Sequence, residues 1–279
     1  MDPTEEWFFP RSRNRIRNRT VLAALTNKQS NDDGTLSDEE ITFLVRRAKG
    51  GFGIITSAAS HVLENGQGWP GEMGVWGDHQ IPGLTKLAKG LRNQGALSLV
   101  QIFHGGMRAP AELIGTTPIS ASYNDEKNGN EPAREMTEDE IQYAIEAFAA
   151  AAERCEKAGI DGVEIHGAHG YLIAQFLGTV TNRRTDSWGG DLAERSRFLM
   201  RIIEEVRSRT SPSFVVVVRI SPEIESLGIT LDDSLELAKR LIETEIDAIH
   251  ISCWDVFKGP EGTSVDSPTL TRRFREVLP

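Results

Sequence analysis

Short unbroken apolar runs recur along this chain and alternate with longer stretches whose apolar positions fall three and four apart. The runs lie at residues 21–25, 53–56, 97–102, 162–165, 214–218 and 247–252. Runs of that length without polar alternation predict strands buried on both faces. The intervening stretches predict amphipathic helices, each with one apolar stripe, at about residues 38–49, 83–93, 138–158, 192–208, 232–244 and 269–277. Two of them open on the S/T-x-x-E form of a capping box, Ser37-Asp38-Glu39-Glu40 and Thr137-Glu138-Asp139-Glu140. Gly50-Gly51 and Gly159 mark helix ends.

Strand and helix alternate throughout, which calls for an α/β fold on a parallel sheet, either doubly wound or closed as a barrel. Thr26, Gln101, His166 and Arg219 stand at the carboxyl ends of runs spread over the whole sequence. A TIM-type barrel brings such residues to one mouth, so a barrel is expected. With 279 residues and no Pro/Ser/Gly-rich linker, one domain over residues 1–279 is expected. Gly66-Gln67-Gly68-Trp69-Pro70-Gly71 matches G-x-G-x-x-G, but Pro70 precedes the third glycine and no helical periodicity follows. It is rejected as a dinucleotide fingerprint, which needs a strand-to-helix turn there.

The net charge of −10 argues against nucleic acid or an anionic membrane as partner. No apolar stretch approaches the roughly 20 residues of a membrane span, and the acidic amino terminus does not resemble a signal peptide. Cys155 and Cys253 form no disulfide framework. A cytoplasmic protein acting on small molecules is expected, with a homo-oligomer left open. Arg11, Arg13, Arg15, Arg17 and Arg19 recur at every second position, which would set all five on one face of an extended, hairpin-like entry. A solvated face accounts for them better than a phosphate ribbon.

The run at 162–165 delivers His166, His169 and Tyr171 to its carboxyl end. If the chain turns helical there, the two histidines share a face. A metal site, a packed histidine pair, and two donors holding an oxygen on which negative charge develops all fit this spacing. The metal reading lacks a matching third ligand, and the donor pair is favoured. Tyr171 adds a phenol able to give up a proton. Arg219 is either a structural ion pair, with Glu164 a candidate partner, or a fixed charge facing an anionic ligand or reduced cofactor. Gln101 offers an amide to a planar heterocycle. No P-loop, G-x-S-x-G elbow or Cys-x-x-Cys is present.

The stretches NRTVLAALTNKQSNDDG, LVQIFHGG, GVEIHGAHGYLIAQFLGTVTNRRTDSWGGDLAERSRF and VVVVRIS closely resemble the Old Yellow Enzyme family of FMN-dependent NAD(P)H oxidoreductases, over essentially the whole chain. The resemblance implies a (β/α)8 barrel with FMN across its mouth and NADH or NADPH as hydride donor. It implies that Thr26 lies near the reactive flavin edge, with Ala24 and Ala59 as backbone neighbours. Gln101 would bond the pyrimidine ring, and Arg219 would offset the charge of the reduced flavin. His166 and His169 would hold a carbonyl or nitro oxygen, and Tyr171 would donate a proton, as the chain reduces an activated alkene. Ala24 stands where the family often has proline, and Trp188 where tyrosine is common. Substrate choice is expected in loops 66–79 and 108–136. Six strands are counted, and the chain stops at Pro279 where the seventh should begin. Strands seven and eight, which carry the phosphate site in this barrel class, are therefore expected to be missing from an incomplete, C-terminally truncated barrel. The alternative to an ene-reductase is then a silent fragment unable to hold FMN.

Overall fold

The computed structural model describes residues 2–126, 130–260, 262–263 and 267–278. An antiparallel entry hairpin, β1 (Trp7–Phe8) and β2 (Arg15–Ile16), precedes β3 (Val21–Leu22) and α1 (Asp38–Lys49). There follow β4 (Ile54–His61), β5 (Met73–Gly74), α2 (Ile81–Arg92) and β6 (Leu97–Phe103). The next excursion holds α3 (Ala111–Ile114), β7 (Ile119–Ser120) and β8 (Arg134–Glu135), and leads into α4 (Glu138–Lys157). The chain continues as β9 (Gly162–Gly167), α5 (Leu172–Leu177), α6 (Leu192–Arg209), β10 (Val215–Ile220), α7 (Leu231–Ile242), β11 (Ala248–Ile251) and α8 (Leu270–Val277).

All six buried runs form strands of one parallel sheet in the order β11-β10-β9-β6-β4-β3. Because successive side chains point to opposite faces, each strand feeds two layers. Ile55, Val100, Ile102, Val163, Ile165, Val216 and Val218 face the helices in the main core. Ile54, Leu97, Leu99, Val215 and Val217 form a second, inner cluster with Phe9 and Ile16. The entry hairpin thus inserts apolar side chains into the concave side of the sheet. Above them on that side stand polar residues, in register. Ala59 pairs with Gln101, Gln101 with Glu164 and Glu164 with Val217, while His166 pairs with Arg219 and Arg219 with His250.

Several expectations need correction. The run 21–25 is a strand only at Val21–Leu22, because β3 is an edge with one neighbour, and Leu25 is 58% exposed. β4 continues past residue 56 through an irregularity between Thr56 and Ala59. The five arginines do not share one extended face. Arg13 is left-handed at φ 59°, Arg11 pairs with Asp247 at 3.5 Å, Arg17 donates to the carbonyls of Phe52 and Gln94, and Arg19 lies over the Trp7 ring. At α1 only half of the expected capping box forms. Ser37 accepts from the Glu40 amide, but the Glu40 carboxylate is buried on Asn27 and Ser30 instead of returning to the cap. Thr137 and Glu140 make the full box, and so do Asp191 and Glu194 at α6, which the sequence reading passed over. Within loop 108–136 a short parallel pair, β7 with β8, supplies unexpected order, and residues 127–129 lie outside the described residues.

Candidate active site

His166, His169 and Tyr171 come together at the carboxyl end of β9, though not by a helical turn. His169 and Gly170 are both left-handed, at φ 59° and 82°, and reverse the chain so that Tyr171 becomes the N-cap of α5. The turn favours glycine at Gly170 for its φ, since the Arg108 guanidinium that a Cβ would meet at 2.9 Å is the end of a flexible side chain. The His166 and His169 rings stand 5.0 Å apart at 84°, and the Tyr171 ring stands 5.1 Å from His166 at 82°. Phe103, at the end of β6, meets the edge of Tyr171 at 5.1 Å. Arg108 brackets the turn, donating to the His169 carbonyl and, through Nε, to Glu126 at 2.9 Å.

Burial, helped by the charges of His169, Arg219 and His250, holds the His166 imidazole well below its ordinary pKa. Its Nδ1 accepts the Ala168 amide at 3.2 Å. A neutral imidazole that accepts at Nδ1 carries its proton on Nε2, so His166 presents a neutral N–H donor. His169 is pushed down to about 4, first by burial and then by Arg219 and His250. Its Nε2 lies 2.6 Å from Ser252 Oγ, and its backbone amide donates to Ser221 Oγ at 3.1 Å. Burial raises the Tyr171 phenol above its ordinary value, with Arg108 acting against the rise.

Below this cluster, Gln101 donates from Nε2 to Glu164 Oε1 at 2.6 Å, and Glu164 Oε2 lies 2.8 Å from His250 Nδ1. Glu164 is therefore occupied by Gln101 and His250, and the ion pair entertained between it and Arg219 does not form. Arg219 Nη2 instead donates to Ser252 Oγ at 3.0 Å. Its Nε is buried with no hydrogen-bond partner among the described residues. An unmatched buried donor on a cation costs more than the roughly 1–3 kcal/mol of a neutral one, and an acceptor-rich ligand removes that cost. Ala59 is buried beside Gln101. Ala24 and Thr26 follow β3 on the rim next to β4, with Thr26 exposed and making no hydrogen bond to the cluster among the described residues. Ser252, Ser221, His250 and Arg108 were missed, because a serine beyond a strand or a basic residue in a loop gives no periodic signal.

Beside the cluster, reaching it at Tyr171, opens a cleft of about 640 Å³, lined among others by Trp69, Met107, Arg108, Val180 and Leu227. A parallel strand set with donors converging at its carboxyl ends and a cleft beside them is the layout of a barrel-type enzyme. The description "NADH:flavin oxidoreductase / NADH oxidase family" matches residues 12–273, and the chain belongs to that family, whose Old Yellow Enzyme members it joins. It is thereby an FMN-dependent NAD(P)H oxidoreductase.

The probable NADH-dependent flavin oxidoreductase YqiG of Bacillus subtilis is 40% identical over 286 residues, covering 99% of this chain and 77% of that protein. The NADH:acrylate oxidoreductase of Vibrio harveyi is 35% identical, over 94% of this chain and 27% of its own length. In three dimensions the Old Yellow Enzyme homologue of Zymomonas mobilis superposes with a TM-score of 0.87 at 27% identity, over all of this chain and 80% of that one. A 2-naphthoyl-CoA reductase complex gives 0.89 at 31% identity, over 98% of this chain and 44% of that one. The residues present fit FMN. Gln101 supplies a buried amide, and the orphaned Arg219 Nε supplies a fixed positive donor suited to a ring that gains negative charge on reduction. Among the described residues no helix is long and apolar enough to cross a membrane.

Proposed function

We propose that this chain reduces the activated C=C bond of α,β-unsaturated carbonyl or nitro compounds with reducing equivalents from NADH or NADPH, and that residues 1–279 form one such domain. The observation that carries this reading is the neutral His166 Nε2–H donor beside His169 and Tyr171, with Tyr171 lining an open cleft. Bound FMN supplies hydride transfer in both directions. His166 and His169 hold the substrate oxygen, and the neutral N–H of His166 stabilises the charge that grows on it without a counter-charge to be displaced. Tyr171 gives its phenolic proton to the α-carbon. Gln101 and Arg219 hold the flavin ring, Thr26 tunes its reactive edge, and Ala24 and Ala59 line its backbone side. The acrylate, acyl-CoA and flavin relatives support the general chemistry, and the substrate class rests on the His-His-Tyr geometry.

β3 and β11 are the edges of the sheet among the described residues. In a (β/α)8 barrel two further strands would stand between them. Purified protein incubated with FMN, then mixed anaerobically with NADH and with an enone, tests the reading. Bleaching of the flavin by NADH and its recovery on adding enone are expected. Bleaching by NADH with no recovery on any enone or nitroalkene would overturn the substrate class.

A further inference from the structure

A second group of buried titratable residues lies beside the cleft and takes no part in the chemistry above. His61, at the end of β4, places Nδ1 2.8 Å from Glu72 Oε1, and both side chains are almost fully buried. The other oxygen of Glu72 accepts the Gly68 amide at 2.9 Å, and the Trp69 amide also donates to this carboxyl. Burial pushes the Glu72 carboxyl well above its ordinary range and the His61 imidazole down to about 4. Glu72 thus ties the end of β4 to the backbone amides of Gly68 and Trp69.

The segment gathered on this pair runs from Leu63 to Glu72 and is clamped at its other end as well. Gly105 donates its amide to the Gly66 carbonyl at 2.8 Å, and His104 Nε2 lies 3.2 Å from Asn65 Oδ1. A Cβ at Gly66 would lie 2.6 Å from the His104 ring, so the loop presses directly on β6. What this clamping holds in place is Trp69. Its indole stands 5.5 Å from Phe103, and Phe103 is in turn 5.1 Å from Tyr171 and 6.1 Å from His166. Trp69 and Tyr171 thus both line the cleft, with the fully buried Phe103 packed against each of them, and the row ends in a half-buried indole.

We propose that Trp69 selects substrates with a flat, extended aromatic substituent on the activated alkene, and that Glu72 with His61 is the positioning pair that holds Trp69 in the lining of that cleft. This rests on the ene-reductase reading of the same site. A rigid indole offers stacking area at little entropic cost, and the end of the row is open for a further ring. Arg108, Asn124 and Thr181 line the same cleft with polar groups.

The test compares the FMN-supplemented wild type with Trp69→Ala, Trp69→Phe, Glu72→Gln and the double variant Trp69→Ala/Glu72→Gln. The probes are 2-cyclohexen-1-one and the flat aryl enone 4-phenyl-3-buten-2-one. The readout is the ratio of kcat/KM for the aryl to the alicyclic compound, together with the split between kcat and KM. Loss of one aromatic contact is expected to lower this ratio about three- to tenfold in Trp69→Ala, mainly through the KM of the aryl enone. Trp69→Phe recovers most of it. Glu72→Gln shifts the ratio in the same direction, and the double variant is no worse than Trp69→Ala, because Glu72 acts only through the indole.

An unchanged ratio in Trp69→Ala overturns the specificity role. A Glu72→Gln protein that loses melting temperature but keeps the wild-type ratio, or whose effect multiplies with that of Trp69→Ala, overturns the positioning role. Calorimetric binding of both probes separates this from the parent reading. If the wild type binds both compounds and reduces neither, the ene-reductase reading falls, and the ratio of dissociation constants in the same variants decides the role of Trp69.

Discussion

Tyr171→Phe removes one oxygen and leaves the ring. Its edge contacts with Phe103 and His166, both at 5.1 Å, are made by carbon atoms and survive the change. The variant should therefore fold as the wild type does, and only proton delivery should suffer. Water then replaces the phenol as acid, so the driving force falls from a group of pKa about 10 to one of about 15.7. With a Brønsted coefficient of about one half, that gap is worth about 10^2.8 in rate, inside the usual range of about 10² to 10⁴ for general acid catalysis. Burial raises the phenol above its ordinary value, which narrows this gap, and a loss of at least about 10²-fold, or roughly 2.7 kcal/mol, the lower end of the usual range, is expected. Anaerobic stopped-flow absorbance separates the two half-reactions. Flavin bleaching by NADH should keep its wild-type rate, since no proton is delivered by Tyr171 in that step, while flavin recovery with an enone slows about a hundredfold. A recovery rate within threefold of wild type, or an equal fall in both steps, would refute the assignment of Tyr171 as the acid.

Replacing His166 by Ala deletes the neutral donor, and a fall in flavin recovery of about 10²-fold or more is expected, with enone affinity also reduced; near-normal kinetics would remove His166 from the oxygen-binding role. Glu164→Gln takes the anion from between Gln101 and His250, and should move the midpoint potential of bound FMN to a more positive value, read by dye-equilibrated reduction, whereas an unchanged potential would mean that Glu164 is only packed. His104 and His169 have folded-state values depressed to about 3 and about 4, mainly by burial, so the unfolded chain binds more protons than the folded one between those values and 6.5. Their contribution to stability is complete above 6.5 and is drained as pH falls, and the melting temperature should be lower at pH 5 than at pH 7 by several degrees, with His104→Asn reducing the difference. Phe9→Ala empties the apolar floor beneath the polar layers, and a loss of about 3 kcal/mol in denaturant unfolding is expected.

The four central strands, β4, β6, β9 and β10, were legible because each is buried on both faces and so reads as an apolar run, and the residues just beyond them could be recognised by their polarity alone. What escaped the sequence was decided by contacts between distant segments. The Glu40 carboxylate looks like a capping group, but in the fold it finds Asn27 and Ser30 and turns away from its own helix. The arginine ladder has a strand's period, yet a left-handed Arg13 breaks it and the side chains find separate partners. His250 and Ser252 sit on an ordinary-looking strand end and become part of the site only through the register with β9 and β10. The residues that the resemblance singled out at β9 do stand together in the fold, but by a left-handed turn and not by a helical one.

The left-handed backbone at His169 also restricts what chemistry this position can hold. β-Branched and bulky residues pay heavily for φ near +60°, whereas histidine, asparagine and aspartate tolerate it, and glycine does so freely. Threonine, the other common short donor, is excluded by its shape before its hydroxyl is tried, and aspartate would set an anion where an oxygen must gain negative charge. The turn therefore favours an imidazole or a short amide as the neutral donor at this position, and the choice between them fixes whether the donor can titrate.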